Sequence, residues 1–271
     1  MTLSAFCCRF ACVAAVALAG WSGPAAAQDQ TQNPNDDRQR VDIELMLLLD
    51  GSGSVDNEEW RLQMDAYCFA FQSRELHAAV ERLGGVMVRA ANFSTAGKIS
   101  GTTHTRVLRT AKDCNDWAAH MRSRINQRAR GGTAIGDALL WAMNDLGNND
   151  FVSRRRIIDV SGDGPNDADE VLIGNRETHS SNGKRIDYGA TMAEVAAARE
   201  GAVTINAISI GADFFTQDEN PDYLREWYAK NMPMGVGSFT MHAEDFEAFE
   251  DAIKRKLIRE ISAPLDQISF D

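Results

Sequence analysis

The sequence predicts an α/β protein with a Rossmann-like three-layer α/β/α sandwich, whose central sheet is mostly parallel with one antiparallel edge strand. Strand-like and helix-like segments alternate from Val41 to Ser262, an order typical of a parallel sheet with helices on both faces. The first strand, "VDIELMLLLD", becomes almost continuously apolar, which indicates burial on both faces. The segment "THTRVLRT" instead alternates polar and apolar residues, as a half-exposed edge strand does.

The N-terminal 27 residues resemble a secretory signal. A short apolar run from Phe10 to Trp21 follows a basic residue and leads into "AAAQ", which predicts cleavage after Ala27. Because this run is short for a bilayer span, we expect an exported protein, periplasmic or extracellular, with no membrane span after cleavage. Residues 28–40 contain no large apolar side chain and are predicted to form a disordered linker.

The predicted domain covers residues 41–262, and a short tail follows over 263–271. After the first strand, Asp56 and Glu59 form a capping-box pattern that begins a helix reaching about Val80. Hydrophobic periodicity predicts the remaining elements. In chain order they are strand "GGVMVRAANF", edge strand "THTRVLRT", helix "CNDWAAHMRSRI", helix "TAIGDALLWAMNDLG", strand "RRIIDVSGDG", helix "DYGATMAEVAAAREG", strand "AVTINAISIG", helix "PDYLREWYAKNM", strand "GSFTMHA" and helix "AEDFEAFEDAIKRKLIREIS".

Charge and cysteine content limit the classes of partner. The chain has a formal charge of −11, and without the signal 27 basic and 39 acidic residues remain. Such an acidic protein is a poor candidate for binding nucleic acid or anionic lipid. Three of the five cysteines lie in the signal. Cys68 and Cys114 could form one disulfide in an oxidising compartment or stay free, since the sequence does not place them within reach of each other.

Two predicted strands end in an aspartate, Asp50 and Asp163. In open parallel sheets, ligands gather beyond the carboxyl ends of the strands. Ser52 and Ser54 follow Asp50 in the pattern D-x-S-x-S, and Thr133 lies just before a predicted helix. Two carboxylates and three hydroxyls offer the oxygen ligands that Mg²⁺ prefers. The sequence therefore predicts a divalent-cation site at this edge of the sheet.

The glycines of the loop after Asp50 and the charges of the two aspartates predict how this site binds a cation and a further ligand. Gly51 and Gly53 are expected to let the loop curl, so that its side chains converge. Two carboxylates only neutralise a divalent cation, so the remaining coordination position attracts an outside anionic oxygen. We expect Mg²⁺, with Mn²⁺ or Ca²⁺ left open. The alternative is a set of ordinary turns, in which Thr133 and Ser54 cap helices.

The pattern D-x-S-x-S, then a threonine, then an aspartate resembles the metal-ion-dependent adhesion site of von Willebrand factor type A domains. The matching residues are Asp50, Ser52, Ser54, Thr133 and Asp163. The resemblance implies that the hydroxyls contact the metal directly or through water, and that the last aspartate acts through water. The segments "RRIIDVSGDGPN", "GAVTINAISI" and "DFEAFEDAIKRKL" are similar to a bacterial family of secreted type A-like proteins of unknown function. The loop over 167–187 is longer than in that family.

The resemblance implies a secreted, metal-dependent protein-binding module for adhesion or interaction, in which the cation coordinates an acidic group of a partner protein. Asn92, Ser94, Asn166 and Asp167 follow predicted strands at the same edge, and we expect them to form a rim that contacts the partner. The alternative is a structural subunit of an envelope assembly with a stabilising metal. A metal-dependent hydrolase is less favoured, because Ser52 stands where phosphoryl-transfer hydrolases need a second acid. We therefore expect no catalytic residues.

Asp159 interrupts the apolar strand "IIDVSG". A buried carboxyl group must find hydrogen-bond or charged partners. We expect Asp159 to be a structural acid with such partners, and not a metal ligand.

Overall fold

Seven strands form one sheet in the computed structural model, which describes residues 37–172, 188–199, 203–211 and 220–264. The strands are β1 (Gln39–Asp50), β2 (Val86–Phe93), β3 (Ile99–Thr102), β4 (Arg106–Leu108), β5 (Phe151–Gly162), β6 (Val203–Ile210) and β7 (Thr240–Ala243). Their order is β3-β2-β1-β5-β6-β7, and β4 also pairs with β2. Strands β1, β2, β5, β6 and β7 are parallel, while β3 and β4 run antiparallel to β2.

Eight helices in the described residues cover the two faces of the sheet. They are α1 (Asn57–Gln72), α2 (Arg74–Val80), α3 (Ala111–Arg124), α4 (Ile135–Gly147), α5 (Asp167–Leu172), α6 (Met192–Ala198), α7 (Tyr223–Asn231) and α8 (Phe246–Ser262). One core joins Leu45 and Leu47 of β1 to α1, α2, α3 and α8. A second core joins Met46 and Leu48 to α4, α6 and α7. Side chains alternate along β1 between the two faces, which makes the protein a three-layer α/β/α sandwich, as predicted.

The sheet has a topological switch point between β1 and β5. From β1 the chain continues to β2 on one side, and β5 then pairs with β1 on the other side. In doubly wound sheets, a crevice opens at the carboxyl ends of two such strands. Asp50 ends β1, and Asp163 directly follows β5, so both predicted carboxylates lie at this crevice.

The antiparallel edge and the first helix differ in detail from the prediction. The predicted edge strand is β4, and the unpredicted strand β3 shares the same edge. The single helix predicted from Asp56 to Val80 is wrong, because α1 and α2 are separate helices. Ser73 between them is extended, its hydroxyl donates to the Ala70 carbonyl at 2.7 Å, and it accepts from the Leu76 N–H at 3.3 Å. One serine thus caps the end of α1 and the start of α2.

Several other boundaries also move. Strand β1 begins at Gln39, two residues before the predicted start and inside the predicted linker, because Gln39 and Arg40 pair with β5. The predicted loop over 167–187 begins with α5. Helix α6 ends at Ala198, and its predicted end at Gly201 lies outside the described residues. Residues 1–36, 173–187 and 265–271 also lie outside them, and with them the predicted signal, most of the linker and most of the tail.

Cys68 and Cys114 are buried and free, so the disulfide left open by the sequence is not formed. Burial raises the pKa of both thiols, that of Cys114 to about 12. Both side chains belong to the core under α1 and α3 and act there as small apolar groups. Within the described ranges, no helix combines the length and apolar character needed to cross a bilayer.

Asp159 has the structural role that the sequence predicted. Its carboxylate accepts a hydrogen bond from the Lys256 ammonium, and Lys256 also donates to Glu260 at 2.7 Å. The Asn206 amide donates to the same Glu260 oxygen at 2.9 Å. All three charged side chains are fully buried or nearly so. This group, Asp159, Lys256 and Glu260, is called the lysine cluster below.

Candidate metal site

Asp50 lies at the carboxyl end of β1, directly beside β5. Gly162 at the end of β5 lies close to it, since a Cβ added there would lie 2.9 Å from Asp50 Oδ2. Asp50 is fully buried. Its Oδ1 accepts the Ser52 N–H at 2.8 Å, and its carbonyl accepts from the Gln63 amide at 3.1 Å. Oδ2 is also buried and has no hydrogen-bond partner among the described residues, which leaves one carboxylate oxygen available for a ligand.

The electrostatics around Asp50 favour an added positive charge. Burial raises the pKa of Asp50 well above its ordinary value, and repulsion from Asp163 adds to this. The hydrogen bonds from Ser52 act in the opposite direction. Burial, and then the charges of Asp50 and Asp163, likewise raise the pKa of Tyr228, whose hydroxyl donates to the Gly164 carbonyl at 3.2 Å. A cation at this place would relieve the repulsion between the two aspartates.

The hydroxyl groups of the loop connect the two aspartates. Ser52 Oγ lies 3.1 Å from Ser54 Oγ, and the Ser54 hydroxyl donates to Asp163 Oδ1 at 2.7 Å. Neighbouring ligands of an octahedral Mg²⁺ ion, each about 2.1 Å from the metal, are about 3 Å apart. The spacing of these three oxygens therefore fits adjacent ligands of one small cation.

Thr133 lies beside the loop that carries Asp163. A Cβ at Gly164 would lie 3.5 Å from Thr133 Oγ1. The Thr133 N–H donates to Asp167 Oδ2 at 2.7 Å, and the Asp167 N–H donates to the Thr133 carbonyl at 2.9 Å. Thr133 does not cap α4, because Ala134 occupies the cap position. Asp56, and not Ser54, caps α1. The hydroxyls of Thr133 and Ser54 therefore do not cap helices, which was the alternative to a metal site.

Close backbone contacts hold the D-x-S-x-S loop in place. The Gly53 N–H donates to the Gly131 carbonyl at 2.7 Å, and the Arg130 N–H donates to the Gly51 carbonyl at 2.6 Å. Neither Gly51 nor Gly53 has a positive φ, so their expected role in curling the loop is wrong. They are needed for close approach, since a Cβ on Gly51 would lie 2.8 Å from the Ala129 nitrogen.

The side chains of the predicted partner-binding rim are buried in the structure. Asn92, Ser94, Asn166 and Asp167 all lie at this edge of the sheet, but each is buried. Asn92 donates to the Gln127 carbonyl at 2.7 Å, and Asn166 accepts from the Gly136 N–H at 3.1 Å. The segment 125–134 also contacts Asp167 and Ser94, because the Thr133 N–H donates to Asp167 Oδ2 and the Ala134 N–H donates to the Ser94 carbonyl at 2.8 Å. The four side chains are buried in this conformation, and the contact of this rim with a partner stays a prediction.

Three residues that support the site were not predicted. Gln63 and Tyr228 touch the backbone around Asp50 and Asp163, as described above. Arg128 donates to the Ser52 carbonyl at 3.1 Å and to the Val55 carbonyl. Gln63 had a recognisable signal, because it is a polar residue on the same helical stripe as the apolar Trp60 and Tyr67. Tyr228 and Arg128 come from distant segments, and no local pattern identifies them.

The donor set is mixed in its chemistry. Nowhere in the described part of the chain do three His, Cys, Asp or Glu side chains come together in a way that could hold a metal. The candidate site instead combines two carboxylates with serine and threonine hydroxyls. Such a set of neutral and anionic oxygens suits a hard cation and is unsuited to softer metals that prefer nitrogen or sulfur.

Residues 40–265 match a family described as "Protein of unknown function (DUF1194)". This agrees with the predicted likeness to a family of unknown function. None of the curated proteins matches the sequence significantly.

Several solved structures are similar in fold. The PilB minor pilin from Streptococcus sanguinis has 18% identity and a TM-score of 0.52, with 83% of this chain and 64% of the pilin covered. The pilus adhesin SpaC from Lactobacillus rhamnosus GG has 15% identity and a TM-score of 0.49, with 83% and 31% covered. A von Willebrand factor type A protein from Catenulispora acidiphila has 15% identity and a TM-score of 0.47, with 81% and 42% covered. The chain thus spans less than two thirds of each of these proteins, and the likeness to the minor pilin concerns the fold alone.

Proposed function

Because the chain belongs to the DUF1194 family, whose description states no activity, we propose a function from the site itself: a metal-dependent protein-binding module. Asp50, Ser52, Ser54, Thr133 and Asp163 would hold one divalent cation, with Mg²⁺ the first candidate and Mn²⁺ or Ca²⁺ as alternatives. The cation would take a carboxylate of a partner protein as a further ligand. We also propose that the protein is exported and acts in the periplasm or outside the cell.

One observation carries this proposal. A fully buried carboxylate oxygen, Asp50 Oδ2, has no hydrogen-bond partner in the described residues, and the strongest charges acting on it, those of Asp163 and Asp167, are negative. Leaving a buried charge without a partner costs several kcal/mol. A divalent cation removes that cost, and the exposed position of Ser54 leaves one side of the site open to solvent.

We propose binding and not catalysis because of the residues around the aspartate. Covalent phosphoryl transfer needs an exposed nucleophile with a second acid close by, but Asp50 is fully buried and Ser52 occupies the position two residues later. The cation would supply charge to hold an anionic oxygen. Ser52 and Ser54 would serve as neutral oxygen ligands, and Gln63 and Arg128 would fix the loop through its carbonyls.

The test is capture of envelope proteins by purified protein in Mg²⁺ and in chelator. Wild type and Asp163→Ala are compared with Asp116→Ala, a matched control whose carboxylate pairs with Lys112 on the surface of α3. We expect a partner that wild type and Asp116→Ala retain in Mg²⁺ and that chelator or Asp163→Ala releases. Capture that ignores both changes would contradict the proposal. Loss of thermal stability in chelator with unchanged capture would favour a structural metal.

A further inference from the structure

A cavity of about 590 Å³ opens between α1 and the segment that joins α3 to α4. Its apolar lining comes from Trp60, Met64 and Ile125, which are buried side chains of the core. Four arginines, Arg61, Arg122, Arg128 and Arg130, share the lining with a single acid, Asp65. In a chain with a formal charge of −11, this concentration of positive charge is a local exception.

The arginines are not neutralised by the one acid. Asp65 pairs with Arg61 at 3.0 Å and with Arg122, and Glu58 lies 3.7 Å from Arg61, so the charge excess comes from the other two arginines. Arg128 instead donates to backbone carbonyls and forms no ion pair with any residue that the structure describes. Arg130 is exposed and forms no ion pair within the described residues. Guanidinium groups of this kind bind carboxylates through paired N–H donors.

The cavity adjoins the candidate metal site. Arg128, which lines it, donates to the Ser52 and Val55 carbonyls of the D-x-S-x-S loop. The backbone of Arg130 donates to the Gly51 carbonyl. The same short segment therefore supports the metal-site loop on one side and presents arginines to the cavity on the other.

We propose that the arginine cavity is a second docking point for the partner, and that it takes an acidic peptide segment. One carboxylate of the segment binds the cation, and a further acidic side chain enters the cavity; the first of these contacts rests on the proposed function. The apolar floor of Trp60, Met64 and Ile125 accommodates a neighbouring apolar side chain of the same segment. A short segment suits this protein better than a large polyanion, because the acidic remainder of the chain repels extended negative charge.

The proposal is tested with a fluorescein-labelled hexaglutamate peptide and a glutamine-containing peptide of equal length, followed by fluorescence anisotropy at low salt. Arg61→Gln combined with Arg130→Asn removes two cavity charges. Asn is chosen at 130 because Arg130 has a positive φ of 59°, which Asn tolerates. Arg82→Gln is the matched control, an exposed arginine in the turn before β2 at the opposite end of the sheet. Circular dichroism and thermal unfolding check that each variant folds.

In Mg²⁺ we expect the double variant to bind hexaglutamate about fivefold more weakly than wild type, the control to bind as wild type does, and the glutamine peptide to bind to none of them. Raising the salt concentration should reduce the difference. Equal binding by wild type and a folded double variant would overturn the proposal. Displacement of the peptide by inorganic phosphate at equal concentration would also overturn it, because it would assign the cavity to a phosphate ligand.

The same binding experiment distinguishes failure of the proposed metal site from failure of the arginine cavity. If chelator and Asp50→Ala leave hexaglutamate binding unchanged while the double variant weakens it, the cavity binds acidic peptide without a metal, and only the proposed function fails. If chelator abolishes binding and the double variant has no effect, the metal site stands and the arginine cavity is refuted.

Discussion

Strand β5 leads to two acid groups that differ in how their charge is balanced, the buried Asp159 within the strand and the partly exposed Asp163 just after it. In its middle, Asp159 faces Lys256 and Glu260 of α8, so the protein itself supplies a buried cation. Just after its end, Asp163 faces Asp50, whose strongest charged neighbours are negative. A buried carboxylate requires a compensating positive charge or a proton. Within the described residues, one lysine serves the two carboxylates of the lysine cluster, whereas the strongest charges acting on Asp50 are negative. The comparison teaches where a cation from solution would be stabilising, which is beside Asp50.

The largest effect is expected from removing the internal cation. Lys256→Met keeps most of the side-chain volume but leaves Asp159 and Glu260 buried without a positive charge. We expect a loss of about 3–5 kcal/mol in the free energy of unfolding, measured by urea denaturation, because breaking a buried ion pair from one side has this cost.

The matched control is Lys254→Met on the same helix, because Lys254 is partly exposed and pairs with Asp251 only at 3.7 Å. It should change the free energy of unfolding by less than about 0.5 kcal/mol. A loss below about 1 kcal/mol for Lys256→Met would mean that the lysine cluster does not balance its buried charges as described.

The second-largest effect on stability is expected at the candidate metal site. Mg²⁺ at 100 times its dissociation constant should raise the free energy of unfolding by about 2.7 kcal/mol, and Asp50→Asn should remove this gain. In chelator, Asp50→Asn should be at least as stable as wild type, because it removes the repulsion from Asp163 while its amide oxygen can still accept the Ser52 N–H. Thermal or urea unfolding with and without Mg²⁺ measures both quantities.

Asp159→Asn, on the neighbouring strand β5, provides the contrast to Asp50→Asn. It should lower the stability equally with and without Mg²⁺, because it weakens the contact with Lys256. If Asp50→Asn were as destabilising in chelator as Asp159→Asn, the two acid groups would be equivalent and the distinction between them would be lost.

A third, intermediate effect is expected at Gly162, the last residue of β5, which packs against Asp50 and Tyr228. At Gly162, an added Cβ would lie 2.6 Å from the Tyr228 hydroxyl and 2.9 Å from Asp50 Oδ2. Gly162→Ala should therefore cost about 2 kcal/mol in stability by overpacking and also weaken Mg²⁺ binding. Gly147→Ala, where nothing lies within 4 Å, should be neutral or stabilising. Calorimetric titration and urea unfolding of the two variants measure the effects, and equal behaviour would argue against a crowded Asp50.

The smallest effect is the pH dependence of the lysine cluster. Burial, and then repulsion from Glu260, raise the pKa of Asp159 to about 7, although Lys256 opposes the shift. Between about pH 4 and 7 the folded protein therefore holds a proton that the unfolded chain has released. Stability from this group is present at the acidic end of that range and is lost as the pH rises towards 7. Relative to Asp159→Asn, wild type should lose on the order of 1 kcal/mol between pH 5 and 8 in urea unfolding, and a relative gain would contradict the sign.

The sequence predicted the three-layer fold because its signals are local. Burial of β1 on both faces appears as a continuous apolar run, and Asp50 and Asp163 follow directly from the ends of strands. Other features depend on contacts between distant segments. Lys256 and Asp159 are 97 residues apart in sequence, and the burial of Asn92 and Asn166 depends on how two loops pack over them. The helix break at Ser73 was missed because the apolar pattern continues through it.

The central claim is that one divalent cation binds between Asp50 and Asp163. Diffraction from crystals grown with Mn²⁺, collected near the manganese absorption edge, tests it most directly. We predict one anomalous peak at the carboxyl ends of β1 and β5, within about 2.2 Å of oxygen atoms from the D-x-S-x-S loop or from waters held by Thr133 and Asp163. No peak there, with Asp50 Oδ2 instead hydrogen-bonded to a protein group, would contradict the claim.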